Sequence, residues 1–150
     1  MSDLEASSGA VVLDTDAFSV LHSGNERAER LRPVVEGRLP LLSFVTVGEL
    51  LRGALNAGWG DTKRTQLQAR IDAMTVLPYD EVMIRAYAQI TVDAVRIGHS
   101  LGQAVHSNDA WIAATAVAHG VPLVSLNRRH FEGCPDLVLL PEPPIEEGSP

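Results

Sequence analysis

"VVLDTDAFSVL" (residues 11–21) decides how the rest of this sequence is read. Together with Ala10, its apolar start runs straight into Asp14; Asp16 follows, and then a stretch with helical apolar spacing. A buried strand that ends on two carboxylates has two readings. In the first it is a turn with a cap, and Asp16, one residue before "AFSVL", is the natural N-cap of a short helix reaching His22. In the second it is a metal site. The choice depends on whether other parts of the chain supply partners for Asp14.

Working outward, short apolar runs alternate with helical patterns. Residues 10–14 and "LPLLSF" (39–44) read as buried strands, as do "TVLPY" (75–79), "VPLVSL" (121–126) and "DLVLL" (136–140). "NERAERLRPVVEG" is charged and partly helical, with Pro33 near a helix start or kink. "TVGELLRGALNAG" (46–58) carries the apolar stripe Val47, Leu50, Leu51 and Ala54. "GWGD" (58–61) turns the chain into a second helix over 62–74. Asp80 caps a long helix reaching about Ile97, "GHSLGQAVHSN" reads as a loop, and "DAWIAATAVAHG" (109–120) is a helix closed by Gly120. This alternation predicts an α/β fold, a mostly parallel sheet with helices on both faces. Such sheets bind ligands beyond the carboxyl ends of their strands. Asp14 and Asn127 both follow strands in that manner.

The chain is expected to form one domain over residues 10–140, between a flexible segment 1–9 and a proline-rich, acidic, disordered tail 141–150. With 150 residues, 45% hydrophobic and 21% charged, its balance is that of a folded domain. No apolar run approaches the roughly 20 residues that span a bilayer, and the N-terminus lacks the basic and apolar regions of a signal peptide. Cys134 is the only cysteine, so neither an internal disulfide nor a cysteine-rich zinc site is available. These features suggest a soluble cytoplasmic protein with no membrane partner. The net charge of −7 argues against broad adhesion to nucleic acid. It leaves room for a nuclease, because a bound Mg²⁺ brings positive charge of its own. Lys63 is the sole lysine beside eleven arginines.

Three more residues take part. Glu49 completes a Thr46-x-x-Glu49 capping box on one reading; on the other it points away from the apolar stripe into a cleft, with Gly53 one turn on leaving room for a ligand. Asp109 opens a helix that is apolar nearly all round. Asn108 would cap that helix, yet an acid at its buried end needs a partner, and no Lys or Arg lies nearby in sequence. Asn127 alone is an ordinary turn residue. The five histidines show no ligand spacing and read as surface or packing residues.

Four blocks, "VVLDTDAFS" (11–19), "SFVTVGELLRG" (43–53), "NDAWIAATAVAHGVPLVSLN" (108–127) and "RRHF" (128–131), occur in this order. The sequence resembles PIN-domain ribonucleases of the VapC type, the toxins of bacterial toxin–antitoxin pairs. The resemblance implies that Asp14, Glu49 and Asp109 are catalytic metal ligands, with Asn127 in place of a fourth acid and His130 where an Asp often precedes the Phe. It also implies Asp16 and Thr46 as supporting residues, and one or two Mg²⁺ or Mn²⁺ ions. RNA is the implied substrate, the chain is expected to form a homodimer, and a VapB-type antitoxin is the implied partner. Arg52, Arg128 and Arg129 are candidate phosphate contacts. Trp59, between two glycines in an exposed-looking turn, is a candidate anchor for the antitoxin.

The chemistry stands on its own terms. Hard divalent cations take oxygen ligands, and three clustered carboxylates cannot all stay ionised without a cation. Two rival classes share parts of the pattern. "LDTDAF" also resembles the opening of haloacid-dehalogenase-type phosphatases, with Asp14 as nucleophile and Asp16 as acid. That chemistry expects a later Lys after a strand, whereas Lys63 sits in a polar helix. The other rival is a non-catalytic binding module on the same fold, weakened at Asn127.

Overall fold

Strand β1 (Ala10–Leu13) is the centre of the sheet. Its side chains alternate between the two faces and both faces are covered, so Val11, Val12 and Leu13 are all buried. The computed structural model describes residues 9–141. The expected flexible start and disordered tail fall almost wholly outside these residues. After β1 come α1 (Thr15–Leu21), α2 (Glu26–Val35), β2 (Leu39–Ser43), α3 (Phe44–Asn56), α4 (Asp61–Asp72), β3 (Thr75–Leu77) and α5 (Glu81–Ile97). Two short 3-10 turns, Ser100–Gly102 and Ala104–His106, lead into α6 (Ser107–His119). The chain then forms β4 (Leu123–Val124), the single-turn α7 (Arg128–Phe131) and β5 (Leu139–Leu140).

All four strand pairings are parallel, and the order is β3-β2-β1-β4-β5. Val12 and Leu41 pack on one face with Leu123 and with Met83, Ile90 and Ala94 of α5 and Ile112, Ala113 and Ala116 of α6. Val11, Leu13, Leu42 and Val124 pack on the other face against Ala17 and Phe18 of α1, Leu31 of α2, Ala54 of α3, and Leu67 and Ile71 of α4. The expected α/β architecture with helices on both faces is therefore present. β1 leads to β2 on one side, while β4 pairs on its other side. The strand order thus reverses direction between β1 and β4. Crevices of this kind, beyond the carboxyl ends of the strands, are where open α/β sheets bind ligands.

Several local expectations change at helix starts. Asp14, not Asp16, caps α1: its Oδ1 accepts from Ala17 N at 2.7 Å. Helix α3 begins at Phe44, two residues before the expected start, with Ser43 as its cap. Thr46 therefore lies inside the helix and is fully buried, and no capping box forms with Glu49. Helix α6 starts at Ser107, so Asn108 lies in its first turn rather than capping it. Helices α1 and α3 follow their strands directly, so the residue at each strand end, Asp14 or Ser43, becomes the cap, whereas α6 continues from the second 3-10 turn with His106 at its cap position and no side-chain cap bond. Asp80 does cap α5, through Met83 N at 2.8 Å, and Gly120 closes α6 with a φ of 63°. Pro33 lies inside α2, which ends two residues later, consistent with the backbone donor it lacks. On α3, Ala54 is buried and Val47 and Leu50 pack partly against the core, but Leu51 faces solvent. No helix among the described residues is long and apolar enough to cross a membrane.

Candidate metal centre

Three carboxylates reach one small pocket from three different elements. Asp14 follows β1, Glu49 projects from the second turn of α3, and Asp109 projects from the first turn of α6. With Thr15, Asp16, Ile112, Asn127 and His130 they line a cavity of about 120 Å³. No Lys or Arg lines it.

Asp14 is only 4% exposed. Burial pushes its carboxyl up to about 6, and the charges of Asp16 and Asp109 push the same way; hydrogen bonds from Ser125 and from the Ala17 backbone pull against them. Glu49 is half-buried. Its Oε1 accepts from Thr15 Oγ1 at 2.8 Å, and Thr15 Oγ1 also lies 3.4 Å from Thr46 Oγ1. Desolvation raises the Glu49 pKa first, the nearby Asp109 and Asp16 add to it, and bonds from Thr15 and Asn108 oppose it. Asp109 is partly exposed, and His130 Nδ1 stands 3.0 Å from its Oδ2. Asn127 Nδ2 donates to Asp16 Oδ2 at the rim.

The donor set suits a hard divalent cation: carboxylate oxygens, a cavity without a basic side chain, and two acids whose ionisation is opposed by burial and by the charges of Asp16 and Asp109. Asp14, Glu49 and Asp109 would be the holders. Among the described residues, no three His, Cys, Asp or Glu side chains are already drawn together as a closed ligand set. Each acid is instead held by its own donor: Asp14 by Ala17 and Ser125, Glu49 by Thr15 and Asn108, and Asp109 by His130.

The sequence reading missed Thr15, Ser125 and the engagement of His130 with Asp109. Thr15 sits between two acids in "DTD" and Ser125 two residues before Asn127, so both follow strands in the sequence. Histidine spacing along the chain could not reveal His130, because its partner is 21 residues away. The expected phosphate contacts fare differently. Arg128 is engaged, donating to Pro141 O at 2.6 Å and to Glu132 Oε1 at 3.1 Å. Arg129 is exposed at the surface and does not line the acidic pocket. Arg52 lines a groove of about 560 Å³ that also includes Glu49. Trp59 is 38% exposed, with Lys63 Nζ 5.5 Å from its ring centroid, on the wall of a second groove of about 580 Å³. Lys63 is thus on α4 beside Trp59 and not among the residues lining the acidic pocket, contrary to what phosphatase chemistry would need.

A five-stranded parallel sheet carrying a carboxylate pocket at its switch point defines a class, and comparison with known proteins names it. The chain belongs to the PIN-domain family, whose profile matches residues 11–134, among the ribonucleases of the VapC type. It is 34% identical to VapC ribonuclease Y4jK of Sinorhizobium fredii over 133 residues, covering 81% of this chain and 90% of that protein. The fold matches DNA-bound VapBC from Salmonella typhimurium with a TM-score of 0.71 and 25% identity, covering 87% of this chain and 96% of that one. It also matches VapBC-5 of Mycobacterium tuberculosis, a member of the VapBC family of toxin–antitoxin systems, with a TM-score of 0.62 and 25% identity over 88% of this chain and 97% of that one.

Proposed function

We propose that this chain is a divalent-metal-dependent endoribonuclease, acting on cytoplasmic RNA as the toxin of a toxin–antitoxin pair. The observation that carries this reading is the arrival of Asp14, Glu49 and Asp109 at one pocket from three separate elements. A Mg²⁺ or Mn²⁺ ion bound there would supply Lewis acidity and a water of lowered pKa. The chain's own residues do the positioning. Asp14 is rigid because it ends a central strand and caps α1 at once. Thr15 aims the Glu49 carboxylate by its hydroxyl hydrogen bond. His130 orients Asp109, and Asn127 keeps Asp16 at the rim. No Ser or Cys nucleophile is required. Incubating the pure chain with single-stranded RNA tests the reading: cleavage with Mg²⁺ or Mn²⁺ that stops on chelation is expected. Turnover of a simple phosphomonoester without RNA cleavage would favour the phosphatase instead, and intact RNA would favour the binding module.

Asn127 is where a second ion would be weakened, since an amide oxygen is neutral. Asn127→Asp places a carboxylate against Asp16 and should tighten Mn²⁺ binding by about tenfold, with cleavage at limiting Mn²⁺ rising in step. Calorimetric titration of Mn²⁺ checks this; an unchanged affinity assigns Asn127 to the turn alone.

The partner proposed is a VapB-type antitoxin lying across the α3–α4 hairpin, with Trp59 as its apolar anchor. Aromatic side chains are enriched in the cores of interfaces. A partner segment bearing Arg would suit the acidic pocket at the end of that groove. Trp59→Ala should weaken the complex by more than about 2 kcal/mol, the range of an interface hot spot, while the melting temperature of the free toxin stays nearly constant. Equal affinity of the folded variant removes Trp59 as an anchor. A second copy of the chain is proposed to cover the exposed face of α5, where Ile84, Val92 and Val95 recur at helical spacing. The expected solution mass is that of a dimer, reduced to a monomer by Val95→Asp; a monomeric parent refutes this.

A further inference from the structure

Five of the eleven arginines on this acidic chain are already neutralised. Arg32, Arg64, Arg85, Arg96 and Arg128 each pair with a carboxylate three or four residues away. Arg52, Lys63 and Arg70 have no such ion pair, and all three line the grooves that flank α3; Arg27, Arg30 and Arg129 have none either but line neither groove. Arg52 lies in the groove toward the start of α6, beside Asn56 and Asn108. Lys63 and Arg70 lie in the groove between α3 and α4, beside Trp59. Both grooves include Glu49, an acid of the central pocket, and both include Gly53. A Cβ placed on Gly53 would meet nothing within 4 Å, so neither packing nor a positive φ requires glycine there. In the middle of a helix this residue costs stability relative to any ordinary side chain. What it provides is a low saddle on the ridge between two grooves, one turn from Glu49.

We propose that a single-stranded RNA crosses α3 at Gly53, its phosphates on Arg52 on one flank and on Lys63 and Arg70 on the other, which lays the bond to be cut over Asp14, Glu49 and Asp109. This rests on the nuclease reading above. Cations without a carboxylate partner complement a polyanion even on a chain of net charge −7, and the amides of Asn56 and Asn108 are suited to sugar and phosphate oxygens. Trp59 offers an aromatic face of the kind on which unstacked bases pack without regard to sequence. The acidic pocket, about 120 Å³, has the size for one backbone phosphate and a few waters rather than for the body of a duplex. The antitoxin would then inhibit by covering the track as well as the pocket.

The test uses the full chain carrying Asp109→Asn, so that RNA is bound without being cut, with Mg²⁺ and a fluorescent single-stranded RNA. Three phosphate contacts on a single strand predict a slope of about −2 for log K against log salt. The added changes Arg52→Ala, Lys63→Ala and Arg70→Ala together should flatten that slope to near zero and weaken binding more than about tenfold. Gly53→Leu should weaken RNA binding while raising the melting temperature, because leucine favours the helix and glycine does not; a merely structural role would move both in one direction. Duplex RNA should bind less tightly than the single strand. Unchanged slope and affinity in the triple variant overturn the track, and so does a triple variant that loses antitoxin affinity but keeps RNA affinity, which assigns the grooves to the protein partner alone. If the unaltered chain cleaves RNA while the triple variant binds like its parent, the track fails and the nuclease stands. If the track residues govern RNA binding but no RNA is ever cleaved, the nuclease reading fails and the track stands.

Discussion

Asp109→Asn is expected to reduce RNA cleavage more than about 100-fold, beyond the 10–100-fold that follows when a residue merely supporting a metal ligand is changed. The substitution keeps the shape of the side chain and leaves an oxygen that can accept from His130 Nδ1, now 3.0 Å from the carboxylate. The side chain is also partly exposed, so little packing is at stake. Far-ultraviolet dichroism and the melting temperature should therefore match the parent. Cleavage measured at saturating Mg²⁺ decides the matter, and an unchanged rate would remove Asp109 from the mechanism.

Asp14→Asn should do two things of opposite sign. Cleavage should be lost to a similar extent, yet the metal-free protein should become more stable at neutral pH. The folded-state pKa of Asp14 is raised from 3.8 to about 6, chiefly by burial. Between those two values the folded chain binds more protons than the unfolded chain. Stability from this group is thus greatest below about pH 4 and is lost as pH rises toward 6, by roughly 3 kcal/mol in all. Asn removes the buried charge and caps a helix as well as Asp does, so the bond to Ala17 N survives. Above pH 6 and without divalent ions, the variant should melt several degrees higher than the parent, at about 2–4 °C per kcal/mol for a chain of this size, and the gap should close toward pH 4. Adding Mg²⁺ should raise the melting temperature of the parent much more than that of the variant. A variant less stable than the parent at pH 7.5 without metal, or equally stabilised by Mg²⁺, contradicts the assignment.

The three acids of the pocket differ in how openly the sequence announces them. Asp14 stands out because an apolar run ends on it, and Asp109 because an acid opens a helix with little polar surface. Glu49 is ambiguous in sequence, since Thr46 three residues earlier makes an equally good local explanation. That explanation fails in three dimensions: Thr46 is buried inside α3, and Glu49 turns to Thr15, 34 residues before it in sequence. Arg128 shows the converse. Its sequence neighbourhood suggests a phosphate contact, but Pro141 O and Glu132 claim its guanidinium.

The alternation of elements, the parallel sheet, and the placing of Asp14 and Asp109 at a strand end and a helix start are legible along the chain. These follow from periodicity and from helix ends that lack backbone partners, which are properties of contiguous residues. Which hydroxyls hold the acids, that His130 faces Asp109, and which cations line the grooves beside α3 emerge only in three dimensions. Those contacts join residues from different elements, where reach depends on how the helices pack on the sheet and not on spacing along the chain. The switch point between β1 and β4 is the physical reason that they meet: the strand ends there lie side by side, and Asp14 from one and Ser125 from the other come within a hydrogen bond.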